Sequence, residues 1–296
     1  MGSAVRSSLV GLVLALTGTL ACRSAPAPTG LLPLGAGPQM QVGISGVANV
    51  APSIAARDSF VAIAWMAGVP GGHGDVYAVT SADNGATCSA PVKVGATNVD
   101  AGNFPYVVFE WPRLDAQKRF VMPDMSVEWT FRERGRVVER AARSTDGGRT
   151  FIRDPDESVH LFYTGGADVS ALAIDRVIGA DSERVSVAHT QGALQEDGTV
   201  VVVWDEADGD GRRIMLRRAL LGAGGSVQKI DAFPLSASAS AVAPVMGNVQ
   251  GGVIVAWTSG HPPSSTIAIR RVGLDPLCAT PPVRLQYEEG GHREHD

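Results

Sequence analysis

The stretch Ser144-Thr145-Asp146-Gly147-Gly148-Arg149-Thr150-Phe151 has the composition of a tight turn between two β-strands. Its glycines can take backbone conformations that are closed to other residues, and the Asp146 carboxylate can accept hydrogen bonds from nearby backbone N–H groups. The aromatic ring of Phe151, which closes the stretch, can pack back onto the sheet. The octapeptide therefore predicts a hairpin turn between adjacent strands.

A second, degraded copy stands earlier in the chain at Ser81-Ala82-Asp83-Asn84-Gly85-Ala86-Thr87, with Cys88 where the first copy has its aromatic residue. The shared pattern S-x-D-x-G-x-T resembles the Asp box of sialidase-like β-propellers, in which Phe or Trp follows. The residues that carry it are Ser81, Asp83, Gly85, Ser144, Asp146, Gly148 and Phe151. In that family the box lies away from the functional site and also occurs in non-enzymes, so the resemblance implies a fold and not a reaction.

Apolar runs that end in tryptophan recur at residues 61–65, 200–204 and 253–257. An Ala-Pro pair precedes two of them, with Pro52 thirteen residues before Trp65 and Pro244 thirteen residues before Trp257. The same offset from Trp204 falls on Gln191, and a longer unit spans residues 112–129. Internal similarity of this kind is the signature of a repeat architecture.

Each unit continues in the same way after its tryptophan, with a polar loop, an apolar strand, the box region and a last strand. Four short strands joined by turns are the content of one propeller blade. The run 200–203 is apolar on both faces, as a strand between two packed blades must be. Four units are clear, and residues 158–187 could hold a fifth. The lack of a 3.6-residue apolar period argues against helices.

We therefore predict an all-β fold, a sialidase-like β-propeller of five or six four-stranded blades, in a single domain over residues 39–290. Sialidase-like propellers usually have six blades, and the mature length fits five or six. A generic β-sandwich is the alternative.

Residues 1–22 have the form of an export signal, because Arg6 precedes an apolar run that is too short to cross a bilayer. Ala21 before Cys22 resembles the lipobox of bacterial lipoproteins, although Leu20 stands second rather than third before the cysteine. The resemblance implies lipidation of Cys22 and an exported protein anchored at the outer membrane or periplasmic face. A plain signal peptide cleaved nearby is the alternative. Residues 23–38 read as a Pro-rich tether and 291–296 as a frayed tail.

The net charge of −5 is mild and the basic residues are scattered, which argues against a nucleic-acid partner. Cys88 and Cys278 occupy equivalent positions of two different blades. Such positions lie a blade width apart, whereas a disulfide needs Cα atoms within about 7 Å. We therefore predict that both thiols stay unpaired and stand in for the box aromatic.

The loops that follow each tryptophan should open on the face opposite the Asp boxes, because successive turns of a meander emerge on opposite edges. Propellers bind ligands at a channel mouth where such loops converge. The loops span residues 66–74, 130–136, 205–213 and 258–265. Their polar residues are the candidates for the ligand-binding face: His73, Arg132, Glu133, Arg134, Asp205, Glu206, Asp208, Asp210 and His261.

None of these candidates predicts a metal or cofactor site. Residues 205–211 partly match a Ca²⁺ loop, but its twelfth position is Arg217 instead of a bidentate carboxylate, which favours a solvated hairpin turn. His73 and His261 are too isolated for metal-ligand spacing. The repeated tryptophans end buried strands, so packing is favoured over glycan stacking.

The sialidase resemblance implies three arginines, a Tyr–Glu nucleophile pair and an Asp acid/base, with the first arginine in an F-R-I-P-like motif. Near the start of the domain only Arg57 is available, in Ala-Arg-Asp, and no tyrosine has a defined Glu partner. No catalytic residue is therefore assigned. The favoured function is glycan or envelope-protein binding. The alternative is a glycoside hydrolase, for which an acid pair would come from Glu110, Glu128, Asp205 and Glu206.

Overall fold

The computed structural model describes residues 35–99, 104–110, 116–117, 123–153, 171–179, 186–195, 198–222, 226–236 and 240–273. The predicted export signal, Cys22, Cys278 and the tail lie outside these residues, as does the tether before Gly35. The described blades belong to the compact unit Pro33–Asp296. The described part of the chain contains no helix with the length and hydropathy of a membrane span.

Within these residues the chain forms sixteen strands and one helix. In chain order they are β1 (Gly35–Val42), β2 (Ala48–Arg57), β3 (Phe60–Gly68), β4 (His73–Ser81), β5 (Val92–Asn98), β6 (Tyr106–Phe109), β7 (Met125–Glu133), β8 (Arg136–Ser144), β9 (Ile152–Arg153), α1 (Ala171–Ile178), β10 (Val187–Leu194), β11 (Thr199–Asp208), β12 (Gly211–Leu221), β13 (Val227–Pro234), β14 (Ala241–Val249), β15 (Gly252–Ser259) and β16 (Thr266–Gly273).

The strands form four four-stranded antiparallel sheets. Three are meanders of consecutive strands: β2 to β5, β6 to β9 and β10 to β13. In the fourth, β1 pairs with β16 beside β15 and β14, so the start of the described chain supplies the outer strand of the last blade. The all-β propeller prediction is confirmed. Strand β1 begins at Gly35, inside the segment predicted as a tether, because it pairs with β16.

The segment predicted as a possible fifth blade is described at 171–179 and from 186 onward, where it contains helix α1 and the start of β10. The helix escaped the sequence reading because it is only about two turns long. Its apolar residues Ile174, Val177 and Ile178 recur at helical spacing, and the last two pack against Trp204. Arg217 Nη1 donates to the carbonyls of Val177 and Ile178 at its C-terminal end.

Four tryptophans, Trp65, Trp129, Trp204 and Trp257, occupy equivalent places in the four blades. Trp65, Trp204 and Trp257 are at most 2% exposed, and Trp129 is 5% exposed. Trp65 shares an apolar cluster with residues of β15 and β16, and Trp257 shares one with residues of β11 and β12. Trp129 lies against β5, where its ring approaches Gly95 and its Nε1 donates to the Ala96 carbonyl at 2.9 Å. Each of these three therefore packs its own blade against the preceding one, whereas Trp204 packs against helix α1. The prediction that these residues are packing elements is confirmed.

We call β2, β6, β10 and β14 the inner strands of the four blades. In β2, β10 and β14 a bulge faces the tryptophan, and Ala51, His189 and Ala243 in these bulges have positive φ. The two bulge residues opposite Trp204 are His189 and Thr190, so the β10–β11 hairpin is one residue longer than its equivalents. The prediction that Gln191 matches Pro52 was therefore wrong by one position.

The fourth repeat also begins elsewhere than predicted. Strand β7, which contains Trp129, pairs with β6 at Tyr106–Phe109. The inner strand of this blade is therefore β6, which follows Pro105 and not Pro112. The long connection between β6 and β7 hid this spacing in the sequence.

Both Asp boxes form the predicted turn. Asp146 Oδ1 accepts from the N–H groups of Arg149 and Thr150 at 3.0 Å each, and Asp146 Oδ2 accepts from Thr150 Oγ1 at 2.6 Å. Ser144 Oγ donates to Asp146 at 2.8 Å and accepts from Gly148 N at 2.8 Å. Asp83 makes the corresponding bonds to Thr87.

The box glycines also sit against the preceding blade. A Cβ on Gly85 would stand 2.1 Å from Ile254 Cδ1, and one on Gly148 would stand 2.6 Å from Thr80 Cγ2. Each box is therefore a contact between blades as well as a turn. Phe151 packs into the core and so does Cys88, where burial raises the pKa of the thiol to about 11. Within the described residues Cys88 forms no disulfide. That it stays unpaired with Cys278 remains a prediction, because Cys278 lies outside the described residues.

The Asp146 carboxyl makes stability depend on pH. Partial burial raises its pKa, but the hydrogen bonds from Thr150, Ser144 and Arg149 outweigh that effect and hold the pKa below its usual value. A lowered folded-state pKa stabilises the fold above the unfolded value, and this contribution is lost as the pH falls below about 4. We expect Asp146→Asn to lower the free energy of unfolding by roughly 0.5–1 kcal/mol at pH 7 in urea titrations, because the hydrogen bonds that it loses are exposed to solvent. The deficit should shrink in acid, whereas Glu139→Gln, an exposed carboxylate on β8, should show no such deficit.

Candidate functional site

The nine candidate residues lie on the edge of the sheets opposite the Asp boxes, but the strands run further than predicted. His73 is the first residue of β4, and Arg132 and Glu133 end β7. Asp205, Glu206 and Asp208 belong to β11 instead of a loop. Short turns explain the difference, because Gly135 and Gly209 take positive φ and let the strands pair up to the turn. Arg134 and Asp210 lie in these turns, and His261 lies in the β15–β16 loop.

Several candidates are held by neighbours on the same hairpin. Glu133 accepts from Arg140 at 3.2 Å, and Glu206 accepts from Arg213 Nη2 at 2.7 Å. His261 is held from outside its hairpin, because its imidazole Nε2 lies 2.9 Å from Ser240 Oγ, just before β14. The predicted hairpin at residues 205–213 is confirmed, because Asp208 pairs with Gly211 across the turn. The prediction that it is solvated was wrong for Asp205 and Glu206, which are buried. The described residues contain no cluster of three or more His, Cys, Asp or Glu side chains that could hold a metal ion.

The inner strands β2, β6, β10 and β14 surround a cavity of about 620 Å³, the central channel. None of the nine candidates lines it. At the end where the inner strands begin, which we call the channel mouth, the lining residues are Pro52, Phe104, Tyr106, His189, Thr190 and Pro244. Further along, Gln191 and Asn248 add polar groups. The described lining carries no carboxylate and no guanidinium group.

Two aromatic rings at the channel mouth are open to solvent. Phe104 is 44% exposed and Tyr106 is 55% exposed, although most large apolar side chains of the described residues are buried. Pro105 between them is buried, as expected where side chains of an extended chain alternate between two faces. Exposed apolar surface inside a cavity is typical of a ligand-binding site.

His189 enters the channel mouth from the bulge of β10, where its φ is +48°. A positive φ is uncommon for a residue with a side chain, and such conformations cluster at functional sites. Its imidazole Nδ1 lies 2.7 Å from Asp205 Oδ2, and its side chain is 54% exposed. Nε2 has no partner among the described residues and lies on a ring that lines the channel.

Asp205, one of the predicted site residues, does not line this cavity but binds His189, which does. Its side chain is fully buried. Oδ1 accepts from Arg212 Nε at 2.5 Å, and Oδ2 also accepts from the backbone N–H of Ala243 at 2.9 Å. The carboxylate thus ties together β10, β12 and β14, and the guanidinium compensates its buried charge.

The other acidic residues considered for catalysis do not converge on the channel mouth. Glu206 accepts from Trp204 Nε1 at 2.9 Å and from Arg213. Glu110 follows the far end of β6 and pairs with Arg143. Glu128 is buried at 7% exposure on β7. A two-carboxylate pair is therefore not assembled at the mouth by the described residues.

Sequence reasoning missed Phe104, Tyr106, His189 and Gln191. The available signal was the Ala-Pro repeat, because Phe104-Pro105 and His189-Thr190 stand where Ala51-Pro52 and Ala243-Pro244 stand in the other blades. Bulky residues at a position that is otherwise alanine mark a departure from the blade pattern. The unequal hairpin lengths concealed the correspondence.

No protein-family model and no curated protein matches the chain. Solved structures do resemble it. A GH43 protein from Bacillus licheniformis is 13% identical, over 76% of this chain and 51% of that one, with a TM-score of 0.37. An α-L-arabinofuranosidase from Podospora anserina is 10% identical, over 78% and 94%, with a TM-score of 0.39. A family 117 glycoside hydrolase from Zobellia galactanivorans is 11% identical, over 84% and 92%, with a TM-score of 0.35.

The chain spans about half the length of the Bacillus protein. These neighbours are glycoside hydrolase β-propellers and none of the three is named as a sialidase, so the sialidase resemblance rests on the two Asp boxes alone. At these TM-scores and identities they carry nothing about the function of this chain.

Proposed function

We propose that the protein binds a neutral carbohydrate at the channel mouth. The observation that carries the proposal is the exposed pair Phe104 and Tyr106, which faces the same cavity as the polar side chains of His189, Thr190 and Gln191. We further propose, from residues 1–22, that this binding takes place outside the cytoplasm on a protein anchored through Cys22. A protein of the cell envelope is the other partner predicted from the sequence.

A sugar ring has apolar C–H faces and a rim of hydroxyl groups. Open aromatic rings offer a flat apolar surface for the faces, and side chains that donate and accept hydrogen bonds can orient the rim. The channel mouth supplies both kinds of group. Its described lining is uncharged apart from what His189 can carry, which suits a neutral sugar better than an acidic one.

Calorimetric titration with xylotriose, arabinotriose and cellotriose tests the proposal. We expect at least one of these trisaccharides to bind, and we expect Tyr106→Ala to weaken that binding by about tenfold, because loss of one stacking ring costs about 1.4 kcal/mol. Ile152→Ala is the matched control, since Ile152 is 74% exposed on β9, outside the channel lining. Equal affinity of Tyr106→Ala and the wild type would contradict the proposal.

Hydrolysis of a glycosidic bond is the second candidate function. The observation that favours it is the pairing of His189 with buried Asp205, because an imidazole backed by a carboxylate can transfer protons. Product analysis of the same trisaccharide incubations tests this candidate. Release of smaller sugars that disappears with His189→Ala would support it, and intact trisaccharides after prolonged incubation would exclude these substrates.

A further inference from the structure

We infer that Asp205 fixes the tautomer of His189, so that Nε2 is presented to the channel as a hydrogen-bond acceptor for a ligand hydroxyl group. Asp205 is thus a positioning residue that makes the channel mouth selective for ligands that donate hydrogen bonds. The inference about the ligand rests on the proposed function, whereas the tautomer can be measured without any ligand.

The hydrogen bonds around Asp205 determine which nitrogen carries the proton. Both carboxylate oxygens already accept, Oδ1 from Arg212 Nε and Oδ2 from the Ala243 N–H. An ionised carboxylate beside a guanidinium has no proton to give. Nδ1 of His189, 2.7 Å from Oδ2, must therefore be the donor. In a neutral imidazole the other nitrogen is then an acceptor.

The surroundings of Asp205 restrain this arrangement. His189 lies in a bulge at positive φ, and Asp205 is held by β12 and β14, so the carboxylate stays in place and a turn of the ring would break the hydrogen bond from Nδ1. The charged groups that face His189 from the described elements are Asp205 on β11 and Arg212 on β12, and β14 contributes only a backbone N–H. No other described group competes for Nδ1.

The selectivity follows from what the acceptor requires. A ligand hydroxyl can donate to Nε2, whereas an ether or carbonyl oxygen placed there would meet a lone pair. Sugars carry hydroxyl donors around the whole ring, so this arrangement suits the trisaccharides named above. A histidine that served only to hold the strands together would need no particular group at Nε2.

Nitrogen-15 NMR of histidine-labelled protein tests the inference directly. In the wild type at pH 8 without ligand, we expect the His189 signals of an imidazole protonated at Nδ1 and unprotonated at Nε2. In Asp205→Asn the amide carries a donor as well as an acceptor, so the exclusive preference for a proton on Nδ1 should be lost and signals of the Nε2-protonated form should appear. Glu206→Gln is the matched control on the same strand, because Glu206 binds Trp204 and Arg213 and not His189, and it should keep the wild-type pattern.

A wild-type His189 protonated at Nε2 and not at Nδ1 would overturn the inference whether or not sugars bind, and the wild-type measurement does not depend on how well the variant folds. With the trisaccharide that binds best, we expect the unprotonated Nε2 signal to move upfield and Asp205→Asn to weaken binding by about fivefold. Binding that leaves the Nε2 signal unmoved would contradict the ligand contact and leave the proposed function intact. No binding of any trisaccharide, with the expected tautomer, would contradict the proposed function instead.

Discussion

Asp205→Ala is expected to lower the free energy of unfolding by about 3–5 kcal/mol, because it breaks a buried ion pair and leaves its partners without an acceptor. Arg212 would lose its compensating charge, and the backbone N–H of Ala243 would be left without its partner at the junction between two blades. The carboxylate is the shared acceptor of three strands, so its loss should affect blade packing as a whole.

Urea denaturation of the wild type and the variant measures this loss. Asp208→Ala is the control, because Asp208 is an exposed carboxylate on the same strand, next to the turn. We expect that control to stay within about 0.5 kcal/mol of the wild type. A similarly small effect of Asp205→Ala would show that the junction is not a stabilising element and would remove the basis for a fixed His189.

The second large effect is expected from Trp65→Ala, which should cost about 3–5 kcal/mol. Trp65 is fully buried between its own blade and strands β15 and β16, and its ring stacks with Tyr77 at a centroid distance of 6.1 Å. Its Nε1 also donates to Asn49 Oδ1 at 2.9 Å. Asn49 in turn binds the backbone oxygens of Ile44, Val47 and Ser265, so the indole supports a contact between the first and last blades.

Trp65→Phe separates the two contributions. It keeps most of the apolar volume and loses the hydrogen bond, so we expect a smaller loss of about 1–3 kcal/mol. Thermal and urea unfolding should rank the wild type above Trp65→Phe and Trp65→Phe above Trp65→Ala. If Trp65→Ala unfolded like the wild type, the tryptophan repeat would not mark the seal between blades.

The parts of the fold that could be predicted are those in which neighbours in sequence determine the structure. The Asp box is one, because Ser144, Asp146 and Thr150 satisfy one another within seven residues. The buried strand before each tryptophan is another, because its composition alone shows that both faces are covered. Helix α1 could not be predicted from its local sequence, since two turns give too few apolar positions to establish a helical period.

The candidate site could not be predicted in the same way, because it depends on contacts between distant residues. Asp205 and His189 are sixteen residues apart and meet only because β10 and β11 pair with a bulge between them. Phe104 and Tyr106 reach the same cavity from another blade. Polar residues near the turns attracted attention in the sequence, yet several are neutralised by partners on their own hairpin, such as Glu133 by Arg140.

Fluorine NMR on protein labelled with 3-fluorotyrosine tests the central claim most directly. Tyr106 is exposed in the channel mouth, whereas Tyr77 is packed on Trp65. The Tyr106 signal therefore reports on the channel, and the Tyr77 signal reports on the packing between blades. With Tyr106→Phe used to assign its signal, we predict that a trisaccharide of xylose, arabinose or glucose shifts the Tyr106 resonance in a saturable way and leaves that of Tyr77 unchanged. A trisaccharide that binds by calorimetry without moving the Tyr106 resonance would contradict the account.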